Sequence, residues 1–257
     1  MSRTLLAIFS AVVLLPMATP APRAQAQTVD EVIAKNVQAH GGMDKLKSVN
    51  TVRMSGKINF GSFEARIVNQ VKRPNKVREE FIVQGFAQVR AYDGKTGWQV
   101  NPFQGRKDAE LLSQDDMKDL QVDADIDGPL VDYRAKGHHA ELMGHDSVEG
   151  TDCYKIKLTL KNGDVRYYYL DADSFLEIKL ETQTSIRGAI QESETYYGDY
   201  EQVQGIYYPL AIESGQKGDS NRANVTIEKV ELNVPLDDSL FAVPPAPPAA
   251  KASNSGA

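Results

Sequence analysis

From Thr51 onward the chain is dominated by segments in which apolar and polar residues alternate one for one. In the first of them Val52, Met54, Gly56, Ile58 and Phe60 alternate with Thr51, Arg53, Ser55, Lys57 and Asn59. Side chains of a strand point to its two faces in turn, so this period specifies half-buried strand and excludes helix. Similar runs occupy 63–72, 76–84, 86–92 and 96–101, and then 140–143, 152–160, 164–170, 175–182, 189–201, 207–216 and 224–232. Asp93-Gly94, Asn162-Gly163 and Gln204-Gly205 carry hairpin-turn chemistry. The expectation is a mainly β protein built on one antiparallel sheet of about 11 strands. A twisted sheet of that width curls, which makes it an incomplete barrel whose concave face needs a cover.

Two segments can supply that cover. Thr28 and Glu31 have capping-box spacing, and Val29, Val32, Ile33, Asn36 and Val37 follow at helical spacing until Gly41-Gly42. The second, 113–133, is polar, acidic and helix-compatible, with a break at Gly128-Pro129. Both are expected to lie as a lid across the mouth. The inward apolar set is then Met54, Ile58, Phe60, Phe63, Ile67, Phe81 and Trp98. Periodicity alone leaves open whether that set forms a solid core or lines a ligand cavity.

The N-terminus predicts export. Arg3 precedes an apolar stretch over 5–15, and Ala24-Gln25-Ala26 is a small-residue cleavage site, so 1–26 is read as a signal peptide cut after Ala26. The stretch is too short for a mature membrane span. Without Arg3 and Arg23, 27 basic residues face 35 acidic ones, a net charge of −8 on 231 residues. An acidic chain is a poor partner for nucleic acid or anionic lipid surfaces. Cys153 is the single cysteine, so no internal disulfide and no lipid anchor at the cleavage site are expected, and the thiol is read as structural. One domain over 27–243 is expected, followed by a disordered Pro/Ala-rich tail over 244–257.

Catalytic and metal-binding patterns are weak. Asp123, Asp125, Asp127 and Gly128 resemble the start of a calcium loop, but its last ligand position holds Arg134 instead of glutamate. His138, His139 and His145 lack strand spacing that would bring them to one metal ion. Neighbouring carboxylates such as Glu79 and Glu80 point to opposite faces of a strand. There is no Gly-x-Ser-x-Gly elbow and no phosphate-cradling glycine loop. The reading is of a protein that is not an enzyme and needs no metal and no cofactor. Tyr167-Tyr168-Tyr169, Tyr196-Tyr197 and Tyr207-Tyr208 put aromatics on both sheet faces, either at a cavity rim or in plain sheet.

Three stretches, Lys72-Arg73-Pro74-Asn75, Asp93-Gly94 to Trp98-Gln-Val-Asn-Pro-Phe103, and Asp237-Asp238-Ser239-Leu240-Phe241-Ala242-Val243-Pro244-Pro245, occur in this order. Together they resemble the periplasmic lipoprotein carrier family LolA. The resemblance implies a lidded incomplete barrel with an apolar cavity for the acyl chains of lipoproteins, or of another lipid. It implies a monomer in the periplasm, working between an inner-membrane transporter as donor and an outer-membrane acceptor. Arg73 matches a family arginine that bonds lid carbonyls and gates closure. Four residues on, the family's hook aromatic is replaced by Val77, so the hook does not carry over. Two other functions stay open: an envelope-stress sensor of the same fold, and a hydrolase acting on an envelope component.

Overall fold

The computed structural model describes residues 27–245. The signal segment and cleavage site, and the tail from position 246, lie outside the described residues.

All strands belong to one antiparallel sheet that is not closed into a barrel. The chain enters through helix α1 (Val29–Ala39) and the short α2 (Met43–Ser48). It then runs outward as a meander: β1 (Thr51–Phe60), β2 (Phe63–Lys72), β3 (Lys76–Val83), β4 (Phe86–Tyr92), β5 (Gly97–Asn101) and β6 (Arg106–Leu111). From that edge it crosses to the opposite one through α3 (Lys118–Asp123) and a turn-rich stretch. A second meander returns through β7 (His139–Val148), β8 (Thr151–Thr159), β9 (Val165–Asp171), β10 (Glu177–Ile186), β11 (Ala189–Val203), β12 (Ile206–Gln216) and β13 (Ala223–Leu232). Pairing of β13 with β1 joins the two meanders, giving the order 6-5-4-3-2-1-13-12-11-10-9-8-7. The segment that leaves one edge and resumes at the other crosses the concave side, where Leu120 packs on Val77 and Tyr92, and Leu130 and Val131 join the cluster of β7 to β10.

Among the described residues the sheet has thirteen strands, where the sequence suggested about eleven. The clearest omission is β6, whose sequence Arg-Lys-Asp-Ala-Glu-Leu is mostly charged and lacks alternation. It is a strand because it pairs with β5, and its charges suit an exposed edge. The helical content of 113–133 is also smaller than expected, with only Lys118–Asp123 forming α-helix.

Thr28 and Glu31 form the predicted capping box: Thr28 Oγ1 accepts from the Glu31 amide and Glu31 accepts from the Thr28 amide. Val32, Ile33 and Val37 of α1 then pack on Ala140, Ile156, Leu158, Tyr168, Leu170 and Leu180 from β7 to β10. On the other side of the bowl, Leu120 and Ala124 with Met117 cover Val77 and Tyr92. Each arm of the curled sheet therefore has its own helical cover, with 124–138 between them.

Candidate functional site

The lid meets the sheet around the turn between β2 and β3, where the Arg73–Pro74 peptide is cis. Arg73 Nε donates to the Val49 carbonyl at 2.6 Å and Nη2 to that of Leu46 at 3.0 Å, holding the end of α2. The same guanidinium grips both carboxylate oxygens of Asp127 in the crossing segment, with Nη1 to Oδ2 at 2.8 Å. The Asp127 side chain is 5% exposed and also receives Lys47 at 2.7 Å. Burial works to raise the Asp127 carboxyl, but the bonds from Arg73 and Lys47 outweigh it and hold the group below its usual range. The bond from Asp127 in turn raises the guanidinium further above its ordinary value. Arg73 thus ties two lid segments, the end of α2 and the crossing segment, to one sheet turn. The sequence motif pointed to the carbonyls. Asp127 was read there only as part of an acidic loop, because nothing local signals a partner 54 residues away.

A second fastening lies at the end of α1. His40 Nε2 is 2.6 Å from Glu177 Oε2, and Nδ1 is 3.0 Å from the Tyr207 carbonyl. Asn36 donates to Glu177 Oε1 at 3.0 Å, and the Tyr200 hydroxyl to the Glu177 carbonyl at 2.9 Å. Burial favours the neutral imidazole, but the Glu177 carboxylate more than reverses this, raising His40 to about 9. The pair is therefore ionic at neutral pH. It pins α1 to β10 and β12, and no sequence motif announced it.

Between these fastenings a void of about 390 Å³ remains under the lid. Val52, Met54 and Val71 line its sheet side on one arm and Leu180 and Tyr197 on the other, while Val122, Ile126 and Leu130 line its lid side. The concave face changes character beyond it. Cross-strand register places Asn69, Glu79 and Arg90 in one row on β2, β3 and β4, and Asp123 of α3 and Arg166 of β9 also face the bowl. Glu79 is raised above the ordinary carboxylate range, first by burial and then by Asp123, with Arg90 acting against both. Asp123 is also raised, mainly by its enclosed position, although much of its surface is open to the bowl and water there softens the effect.

The residues expected to point inward divide into three groups. Met54 lines the void. Ile58, Phe60, Phe63, Ile67 and Phe81 share the concave face with it by register, but they run past the lid toward an open end. There Phe60 and Phe63 are exposed, and Phe63, Phe81 and Phe103 form an aromatic chain with ring centroids 6.0 and 6.3 Å apart. Trp98 departs from the expectation altogether. Tyr92 pairs with Gly97, so Trp98 falls opposite Ala91 and on the convex face. It is 2% exposed and donates Nε1–H to the Phe241 carbonyl at 2.8 Å. Gly97 occupies the concave position instead, where a Cβ would come within 2.5 Å of Met117. The closing segment of the sequence motif is thus a belt across the back of the sheet. Asp238 holds it to Lys72 and Lys76 at 2.7 and 3.0 Å, and Phe241 is fully buried.

The other groups weighed in the sequence have separate partners. Asp125 pairs with Lys136 and Asp127 with Arg73 and Lys47, so the acidic loop does not converge. His138 Nδ1 accepts from the Lys161 amide, and His145 meets Asp152. No group of three or more His, Cys, Asp or Glu that could hold a metal ion stands together among the described residues. Cys153 is buried on the convex side and its thiol is raised by burial.

A family model described only as an uncharacterized protein matches residues 124–244. No curated protein matches the sequence. Solved structures do match over most of the chain. A LolA superfamily protein from Nitrosomonas europaea superposes with a TM-score of 0.58 at 15% identity, covering 84% of this chain and 98% of that one. The chain has a LolA-like fold. A DUF1329 family protein from Desulfovibrio piger gives a TM-score of 0.60 at 13% identity, with 84% and 98% covered. A domain from Vibrio parahaemolyticus described as for outer membrane lipoprotein sorting gives 0.53 at 12%, with 82% and 94% covered.

Proposed function

We propose that this protein is a periplasmic carrier that takes up the acyl chains of a lipoprotein or another lipid between lid and sheet. The observation that carries this reading is the Arg73 latch, which closes two lid segments over a partly apolar void without filling it. An acyl chain gains about 0.8 kcal/mol per buried CH₂, so sixteen carbons supply on the order of 12 kcal/mol gross. That exceeds the roughly 1.5–3 kcal/mol expected of a charge-assisted latch, so cargo can open it. The aromatic chain Phe63, Phe81 and Phe103 at the open end adds apolar surface on the same concave face, beyond the polar row of Asn69, Glu79 and Arg90. Export through the N-terminal segment and a likeness to a lipoprotein-sorting domain support the compartment.

Arg73→Leu tests the reading. Lys47 still balances Asp127 in the variant, so the empty protein should lose about 1.5–3 kcal/mol of stability and remain folded. Because cargo no longer competes with closure, affinity for an acylated peptide should rise by roughly ten- to a hundredfold, with slower release. The unacylated peptide should not bind. Unchanged affinity for the acylated peptide in a variant of reduced stability would remove the latch from the mechanism, and no binding of acylated peptide by either protein would remove the carrier.

A further inference from the structure

A larger cavity is the chamber at the open end of the bowl, about 1100 Å³, just above the roughly 300–1,000 Å³ typical of small-molecule sites. Its walls are unlike those of an acyl pocket. Gln88, Gln99, Asn101 and Gln104 line it on one arm, and Gln191 and Gln216 face them from the other. Among the described residues, none of these six side chains makes a hydrogen bond within the protein. Asn101 is 7% exposed, and its Oδ1 has no donor within the protein.

Each cation in the chamber wall already has a carboxylate partner. Arg90 meets Glu79 at 3.6 Å, Arg187 meets Asp116 at 3.4 Å, Lys217 meets Glu181 at 2.9 Å, and Arg106 pairs with Glu110. That leaves no free cation in the wall for an anionic ligand. An apolar occupant would bury the amides unpaired, which is unfavourable. What remains open is a two-dimensional array of groups that each donate and accept, spaced about 4.8 Å between strands and about 6.7 Å along them. Hydroxyl groups radiating from a sugar ring also donate and accept at each position, and they spread in two dimensions. A peptide's alternating N–H and C=O groups would be matched better by a sheet edge than by side chains on a face. Phe81 and Phe103 stand edge-to-face beside the chamber, with Phe103 48% exposed, and aromatic faces attract the polarised C–H face of a sugar.

We propose that this chamber binds a neutral glycan, either free or as the headgroup of a lipid. The inference stands on the amide array and does not depend on the acyl-carrier reading.

The test uses ¹⁵N-labelled protein, following the side-chain NH₂ resonances while maltoheptaose, chitotriose, dodecyl maltoside or dodecyl phosphocholine is added. The amides of Gln88, Gln99, Asn101 and Gln191 should shift with a glycan-bearing probe, and dodecyl maltoside should bind at least tenfold more tightly than dodecyl phosphocholine. Shifts with maltoheptaose or chitotriose alone identify a free glycan as sufficient; shifts only with dodecyl maltoside identify a headgroup. Gln99→Leu with Gln191→Leu should abolish the preference while the variant keeps the wild-type circular dichroism and a cooperative unfolding transition. Gln104→Leu, in an exposed turn, is the second variant and should weaken dodecyl maltoside at least threefold. Equal affinity for the two detergents with no glycan-dependent amide shift, or the same amides moving with an unacylated peptide and not with sugars, overturns the proposal.

Discussion

The two arms of the bowl expose similar apolar rows to very different fates. On the β7–β10 arm, α1 lies directly on the sheet, and Ile156, Leu158 and Leu170 are fully buried beneath Val32. On the other arm the β1–β4 hairpins extend beyond α3, so that Phe60, Phe63 and Phe86 share the concave face with Met54 and yet stand exposed. The strands themselves obey the same alternation on both arms. What differs is the length of cover: the crossing segment is one short helix and a run of turns, which closes the middle of the bowl and stops. A curled sheet of this kind is thus part core and part open receptor, and the boundary is set by the lid.

The largest expected effect breaks that comparison at its covered end. Leu158→Ala leaves a cavity that α1 and the sheet cannot easily collapse, and should destabilise by about 2–5 kcal/mol. Phe103→Ala on the exposed rim should change stability by about 0.5 kcal/mol or less, while weakening the binding of an apolar dye. Urea unfolding of both variants separates the arms. Similar losses at the two positions would mean that the open end is packed in solution and that the contrast is false.

Next in size is the ion pair that keeps the cover in place. His40 has a folded value of about 9 against its ordinary 6.5. A group raised in this way contributes fully below its unfolded value and loses that contribution as pH rises through the folded one. The difference corresponds to roughly 3 kcal/mol, present at pH 6 and gone by pH 10. The depressed Glu177 carboxyl reports the same pair from the other side, so the two are not added. His40→Gln should flatten the stability profile between pH 6.5 and 9 and loosen amide protection in α1 before the strands. A wild-type profile that is already flat across this interval would show the pair to be neutral or open.

How far these regions could be read in advance depends on the range over which the sequence signal acts. The capping box of α1, the alternation of β1 and the glycine turns at Gly94, Gly163 and Gly205 are local, and each element formed where its residues placed it. The edge strand β6 has charged residues where a strand signal needs alternation, so only its pairing with β5 reveals it. Asp127 and Glu177 lie 54 and 137 residues from the side chains they bind, beyond any local pattern. Alternation also tells which residues of one strand share a face, but carrying a face across a turn requires the register, and there Trp98 was misplaced. The six unpaired amides are scattered over four strands and a turn. Their convergence becomes visible only when the sheet curls.

Trp98 provides the smallest effect and the sharpest probe of the two sheet faces. It is the only tryptophan, and it lies beneath Phe241 on the convex side, with its indole N–H on a main-chain carbonyl. Trp98→Phe keeps an aromatic ring but removes the pyrrole half of the indole and its bond, leaving a small cavity and the Phe241 carbonyl without its donor, so roughly 2 kcal/mol should be lost. In the wild type, emission should be that of a buried indole and should not respond to acylated cargo, since the sheet separates it from the bowl. Phe103→Trp in the Trp98→Phe background moves the fluorophore to the open rim, where emission should be that of a wetter indole and should shift blue as cargo arrives. If Trp98 in the wild type responds to cargo as strongly as the rim tryptophan does, then cargo reaches the convex face or the register around Gly97 is different. The division of the sheet into a receptor face and a belted back would then be wrong.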